Sequence, residues 1–142
     1  MITFEETAVI GKEHLDAGGH ANWIMQQTLA QDFHYRCRRE LGFGLETLLS
    51  QRLFFVMRQI EAKYYMELFE GDNITLHLTI KIIRHTQLSF EFAIRAKGKL
   101  ATEVNWLMPL ISLNRPNGKA RPVRLPKFIV DVIEKTPEPQ PA

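Results

Sequence analysis

The chain has 142 residues, 45% hydrophobic and 24% charged, room for one core of ordinary size and too little for two independently cored halves. Eighteen Lys and Arg against sixteen Asp and Glu leave a formal charge of only +2, so charge gives no support to a polyanion-binding surface and no nucleic-acid partner is expected. A single cysteine, Cys37, allows no internal disulfide and fits a reducing compartment. No basic region followed by an apolar run opens the sequence, and no stretch approaches the ~18 apolar residues of a membrane span, so the expectation is a cytoplasmic protein without membrane insertion.

Ile2 to Ile10 alternates Ile2, Phe4, Ala8 and Ile10 with polar residues and predicts a short strand, ended by Gly11. After a loop containing Asp16, Gly18 and Gly19, the segment Ala21 to Leu41 lacks proline and glycine and repeats Met25, Leu29, Phe33 and Cys37 at four-residue spacing. With Trp23, Ala30 and Leu41 these make one apolar stripe, while Gln27, Gln31, His34 and Arg38 fall elsewhere. The spacing predicts a helix of about five or six turns, stopped by Gly42 and Gly44.

From Arg52 the period drops to two. Leu53, Phe55 and Met57 share one face of a strand running toward Tyr65, and Glu70-Gly71-Asp72-Asn73 makes a turn. Ile74, Leu76, Leu78, Ile80 and Ile82 predict a long strand with His77 on its outer side, and Leu88, Phe90, Phe92 and Ile94 predict the next. Beyond the Lys97-Gly98-Lys99 turn, Ala101 to Leu113 reads as a last strand whose Pro109 demands a bulge or an edge position. Pro126 opens a short helix over Lys127 to Lys135, and the Pro-rich segment 136–142 is expected to be a disordered tail.

One strand, a long helix and four antiparallel strands make an α+β domain over residues 1–135, with a sheet of about five strands wrapped around one central helix. The opposite sheet face and an edge stay uncovered, so self-association is expected.

Between the first strand and the helix stands Asp16-Ala17-Gly18-Gly19-His20-Ala21-Asn22. This Asp-x-x-Gly-His-x-Asn pattern resembles the signature of the 4-hydroxybenzoyl-CoA thioesterase-like branch of the hotdog superfamily. The element order, the Leu41-Gly42 stop, Tyr64 with Glu70-Gly71-Asp72, and Arg124-Leu125-Pro126 extend the likeness over roughly residues 4 to 126. The resemblance implies a hotdog fold and a hydrolase that cleaves an acyl-CoA or acyl-carrier-protein thioester. It also implies a place in lipid metabolism, a homodimer or homotetramer with its pocket at a subunit interface, and no cofactor beyond the coenzyme A of the substrate.

The residues suit that chemistry. A thioester carbonyl under attack needs a carboxylate beside its carbon, as nucleophile or as base toward water, and N–H donors facing its oxygen. Asp16 supplies the first, and the opening turn of the helix supplies the second together with the positive end of its dipole. Gly18 and Gly19 let backbone approach a ligand. The resemblance assigns the donor role to the Trp23 amide and leaves His20 and Asn22 to orient the thioester or a water. Taken alone, an Asp before a helix reads as a cap or turn former rather than a catalyst, and the combination at this spacing is what favours catalysis.

Further candidates are Gln26, a polar group within the apolar stripe, Tyr64 and Tyr65 as acyl-pocket walls, and Arg84 and His85, with Lys119, Arg121 and Arg124, as partners for phosphates. Cys37 reads as core rather than nucleophile. Similar proteins carry Tyr, an acid and Arg where Gln26, Gln31 and His34 stand here. That departure keeps two rival readings open: a non-catalytic acyl-CoA-binding or oligomeric module, and an enoyl-CoA hydratase or dehydratase of the same fold.

Overall fold

A computed structural model describes residues 1–114 and 118–134, together with the backbone of 140–141. The long strands alternate apolar and polar residues and form where the period of two predicts them. β1 (Ile2–Val9) pairs antiparallel with β6 (Asn73–Arg84), β6 with β7 (Gln87–Ala96), and β7 with β8 (Lys99–Ser112). Phe4, Leu78, Phe92, Val104 and Ala62 stand opposite one another in turn, so one inward row crosses the sheet from β1 to β4 (Gln59–Tyr64). The Lys97-Gly98 turn between β7 and β8 takes positive φ at both residues, 54° and 71°, the twist a tight hairpin needs.

Across this sheet lies α1 (Trp23–Glu40), which buries Gln26, Ala30, Phe33, His34, Cys37 and Arg38. Ala30, Phe33 and Cys37 face inward as their spacing predicts. The stripe is nonetheless rotated from the expected one: Trp23 is 60% exposed, while His34 and Arg38, read as off the stripe, are buried. They can be buried because they serve each other. Arg38 Nη1 donates to His34 Nε2 at 3.1 Å, Arg38 Nε donates to the Phe43 carbonyl at 3.3 Å, and the rings of Tyr35, Phe43 and Phe55 lie 5.2–5.8 Å from the guanidinium carbon. Arg38 Nη2 is also buried and finds no partner among the described residues.

The helix starts at Trp23 rather than Ala21, because His20–Ala21 forms a short β2 paired with β5 (Leu68–Phe69). Gly42, at φ +87°, ends it as expected, but Gly44 is the N-cap of a further helix, α2 (Leu45–Ser50), which the sequence reading left out. The strand expected from Arg52 to Tyr65 is two, β3 (Leu53–Phe55) and β4, both paired with β8. Pro109 accounts for the break. Its carbonyl accepts from Val56 N at 3.1 Å, but it has no N–H to return. Register slips by one between Phe55 opposite Leu110 and Gln59 opposite Leu107. β8 is therefore an interior strand, and the irregularity that Pro109 demands falls on its neighbour, the divided edge formed by β3 and β4.

α3 (Lys127–Glu134) follows Pro126 and packs Ile129 and Ile133 into the core. Of the tail expected over 136–142, only the backbone of β9 (Gln140–Pro141) is described, as a two-residue strand parallel to Phe4 and Glu5; the rest lies outside the described residues.

Candidate active site

Beyond β1 the chain passes a short 3-10 turn (Lys12–His14) and closes a tight loop around Asp16. Asp16 N donates to the His20 carbonyl at 3.0 Å, and the Asp16 carbonyl accepts from Gly19 N at 3.0 Å. Gly19 sits at φ +82°, where a side chain is disfavoured, and a Cβ on Gly18 would come within 3.2 Å of Asp16 Oδ1. Gly19 is thus required by the loop that aims the carboxylate, while Gly18 keeps a side chain from crowding Asp16 Oδ1.

Asp16 Oδ1 accepts from Gly18 N at 2.8 Å; Oδ2 accepts from Asn22 Nδ2 at 3.3 Å and stands 3.7 Å from His20 Nε2. Removal from water works to raise its pKa, but the Gly18 and His20 amides, the His20 ring and the Asn22 side chain outweigh that, and the net shift is downward. Asp16 is therefore an ionised carboxylate at neutral pH.

Asn22 joins this carboxylate to the helix. Its Oδ1 accepts from Met25 N at 3.1 Å as the N-cap of α1, while its amide donates to Asp16. Met25 is thereby satisfied, and the Trp23 and Ile24 N–H groups, which have no acceptor within the helix, donate to none of the described residues at its positive end. β2 fixes the other side, setting His20 opposite Phe69 with the ring centroids 6.3 Å apart.

Two cavities meet here. One, of about 360 Å³, is walled by His20, Ala21, Asn22, Trp23 and Gln26 on one side and Tyr64 to Glu67 on the other; Asp16 does not line it but touches two residues that do, His20 and Asn22. The second, of about 520 Å³, shares Trp23 and Tyr64 with it and runs between α1 and β4 past Gln27, Gln31, His34, Ile60, Trp106 and Met108.

Of the residues singled out by sequence, Asp16, Gly18, Gly19, His20, Asn22, Trp23, Gln26 and Tyr64 come together. Gln26 is held as structure: its Nε2 donates to the Ala21 carbonyl at 3.0 Å, its Oε1 accepts from the Thr102 hydroxyl, and it is 3% exposed while still bordering the first cavity. Arg84 and His85 do not join the site in this chain. They lie at the far end of β6 from Asn73, roughly 35 Å along the strand at about 3.3 Å per residue, whereas Asp16 lies near the Asn73 end. Arg124 stands beside them, since Leu125 N donates to the His85 carbonyl at 2.7 Å, and Lys119, Arg121 and Arg124 are exposed. Gln27 and Trp106 were missed. They meet only because the curled sheet carries β8 back onto α1, a contact no local periodicity announces.

No family model matches the chain. The acyl-CoA thioester hydrolase YbgC of Escherichia coli O6:H1 is 29% identical over 126 residues, covering 83% of this chain and 86% of that protein. Among solved structures, a 1,4-dihydroxy-2-naphthoyl-CoA thioesterase from Synechocystis, Slr0204, superposes with a TM-score of 0.83 at 16% identity, over 96% of this chain and 99% of its own. The Staphylococcus aureus protein SAV2348, solved in complex with CoA, gives 0.84 at 20% identity, over 100% and 89%. The chain has the hotdog fold of these proteins, as its sequence motif implies.

Proposed function

We propose that the chain is an acyl-CoA thioester hydrolase, releasing a free acid and a thiol, with Asp16 as its central carboxylate. The observation that carries this reading is the coupling of an ionised Asp16 to the open first turn of α1 through Asn22. A thioester carbonyl in the first cavity would meet the Trp23 and Ile24 amides with its oxygen, where charge develops during attack. Asp16 attacks the carbon directly or draws a proton from water, and His20 and Asn22 hold it in place. The hydrolase name of the E. coli relative supports the same activity.

Asp16→Asn keeps the loop's shape while removing the charge, and should lower thiol release from a panel of acyl-CoAs by roughly 10³-fold. Undiminished turnover in Asp16→Asn and Asp16→Ala ends the assignment. Single turnover in ¹⁸O-water tests the nucleophilic route: label in the Asp16 side chain establishes an anhydride between Asp16 and the acyl group, hydrolysed at the Asp16 carbonyl.

The partner proposed for the chain is a second copy. β4 is an edge strand with Ile60 and Tyr64 exposed, and antiparallel pairing of two β4 strands would set the Arg84, His85 and Arg124 end of one copy toward the Asp16 end of the other. Those side chains would then donate to the phosphates of coenzyme A from across the interface. No described helix is long and apolar enough to cross a membrane. The setting proposed is the cytoplasm, consistent with one buried thiol, and the chemistry draws on no cofactor beyond the substrate's own coenzyme A.

A further inference from the structure

The groove between α1 and β4 contains an amide whose orientation is settled by its neighbours. Trp106 Nε1 can only donate, and it does so to Gln27 Oε1 at 3.3 Å. Gln27 must therefore turn its Nε2 toward Tyr64, donating to the phenol oxygen at 3.1 Å. The Tyr64 oxygen is thereby an acceptor on that side, and its own hydrogen is left to point elsewhere. Tyr64 lines both cavities and is 41% exposed, so its hydroxyl is available to donate to a ligand lying where the two meet.

The groove is also uncharged. None of its lining residues is Asp, Glu, Lys or Arg. Its one ionisable imidazole, His34, is a wall without charge: the Arg38 guanidinium is donor-only, so His34 Nε2 accepts from it and Nδ1–H donates to the Gln31 carbonyl at 3.1 Å.

We propose that Tyr64 is the specificity-determining donor of this site, held by the Trp106–Gln27 relay to meet an oxygen on an uncharged acyl group. This rests on the acyl-thioester reading of the same site. The substrates favoured are hydroxyl- or keto-bearing acyl thioesters of medium size. Unsubstituted acyl groups leave the hydroxyl without a substrate partner, and acyl groups ending in a carboxylate meet no cation in the groove.

The test is calorimetric titration of the Asp16→Asn protein, which separates binding from turnover. The ligands are hexanoyl-CoA, its 3-, 4-, 5- and 6-hydroxy analogues, and adipoyl-CoA. At least one hydroxy analogue should bind about 10-fold more tightly than hexanoyl-CoA, and adipoyl-CoA at least about 10-fold more weakly. Adding Tyr64→Phe should bring the hydroxy preference to about one. Gln27→Glu should do the same, because a carboxylate in that place accepts from Trp106 and also takes the Tyr64 hydrogen; a merely structural Gln27 would shift all ligands alike. The inference is overturned if no hydroxy analogue is preferred, or if the preference survives Tyr64→Phe. Thiol release by the unaltered protein is followed alongside: release without the preference condemns the Tyr64 role alone, and a preference without release condemns the hydrolase reading alone. Absence of any binding sinks both.

Discussion

Among the described residues, α1 leaves two N–H groups open at its N-terminal end beside a carboxylate that water can still reach, and farther along buries His34 and Arg38 with no carboxylate beside them. Both regions place polar groups where a helix usually carries apolar ones. The difference lies in what satisfies them. At the open end, short-range donors stabilise a charge, so Asp16 stays ionised and available. In the buried stretch, burial and the neighbouring Arg38 push His34 down to about 3, so it stays neutral, serving packing and presenting an uncharged wall to the groove. Reachability, more than polarity, separates the reacting groups from the structural ones.

The sharpest way to break the comparison is Trp23→Pro. Trp23 is the first residue of α1, where proline is tolerated, and Asn22 already has an extended backbone at φ −77°, ψ 178°, compatible with a following proline. The change deletes the proposed donor while keeping the helix, and should cost about 10²–10³ in kcat; Trp23→Ala, which keeps the N–H, should cost far less. Equal losses in the two variants would remove the Trp23 amide from the mechanism.

The buried stretch is tested by acid. His34 has a lowered folded pKa of about 3 against 6.5 unfolded, so below pH 6.5 the unfolded chain takes up a proton that the folded one refuses. Its contribution to stability is therefore full above 6.5 and lost as pH falls toward about 3, on the order of a few kcal/mol. His34→Gln should flatten that slope in urea unfolding measured from pH 7 to pH 4.

At Arg38, truncation and neutralisation should part company. Arg38→Ala leaves a cavity among Tyr35, Phe43 and Phe55 and should cost about 3 kcal/mol, whereas Arg38→Met fills the space and removes a buried cation, and should be neutral or stabilising by about 1 kcal/mol. Two equal losses would mean that the guanidinium itself holds the fold together.

Asn22→Ala, the mildest change, should cost about 1 kcal/mol as a lost cap. It also removes a donor from Asp16, whose pKa is lowered from 3.8 in the intact loop. The stability that Asp16 contributes is complete above 3.8 and is lost as pH falls through the lowered value. In the variant both that loss and the acid limb of the rate profile should move to higher pH. A rate profile that does not move would leave Asn22 as a cap alone.

The strands of the meander were legible because each is long, alternates without interruption and turns at glycine or a polar pair. The loop was legible because its residues are adjacent in sequence and their chemistry is local. Where the reading failed, tertiary contact decided. Hydropathy placed His34 and Arg38 outward, and only the rings of Tyr35, Phe43 and Phe55 make their burial tolerable. The separation of β3 from β4 depends on Pro109, a partner some fifty residues distant in sequence that no window on that segment contains. Arg84 and His85, read as partners for phosphates, stand at the far end of β6 from Asp16, a separation set by the length of that strand.

That proline has a consequence for the outline of the molecule. With an imide nitrogen at position 109, the outer ribbon cannot zip shut past the corner and is jointed instead: Phe55 tucks under the arc against Phe43, while Ile60 and Tyr64 are carried out into water. In the proposed pair of copies, the tilt of that hem sets the angle at which the second copy seats, so one missing hydrogen governs the mutual pitch of two reaction chambers.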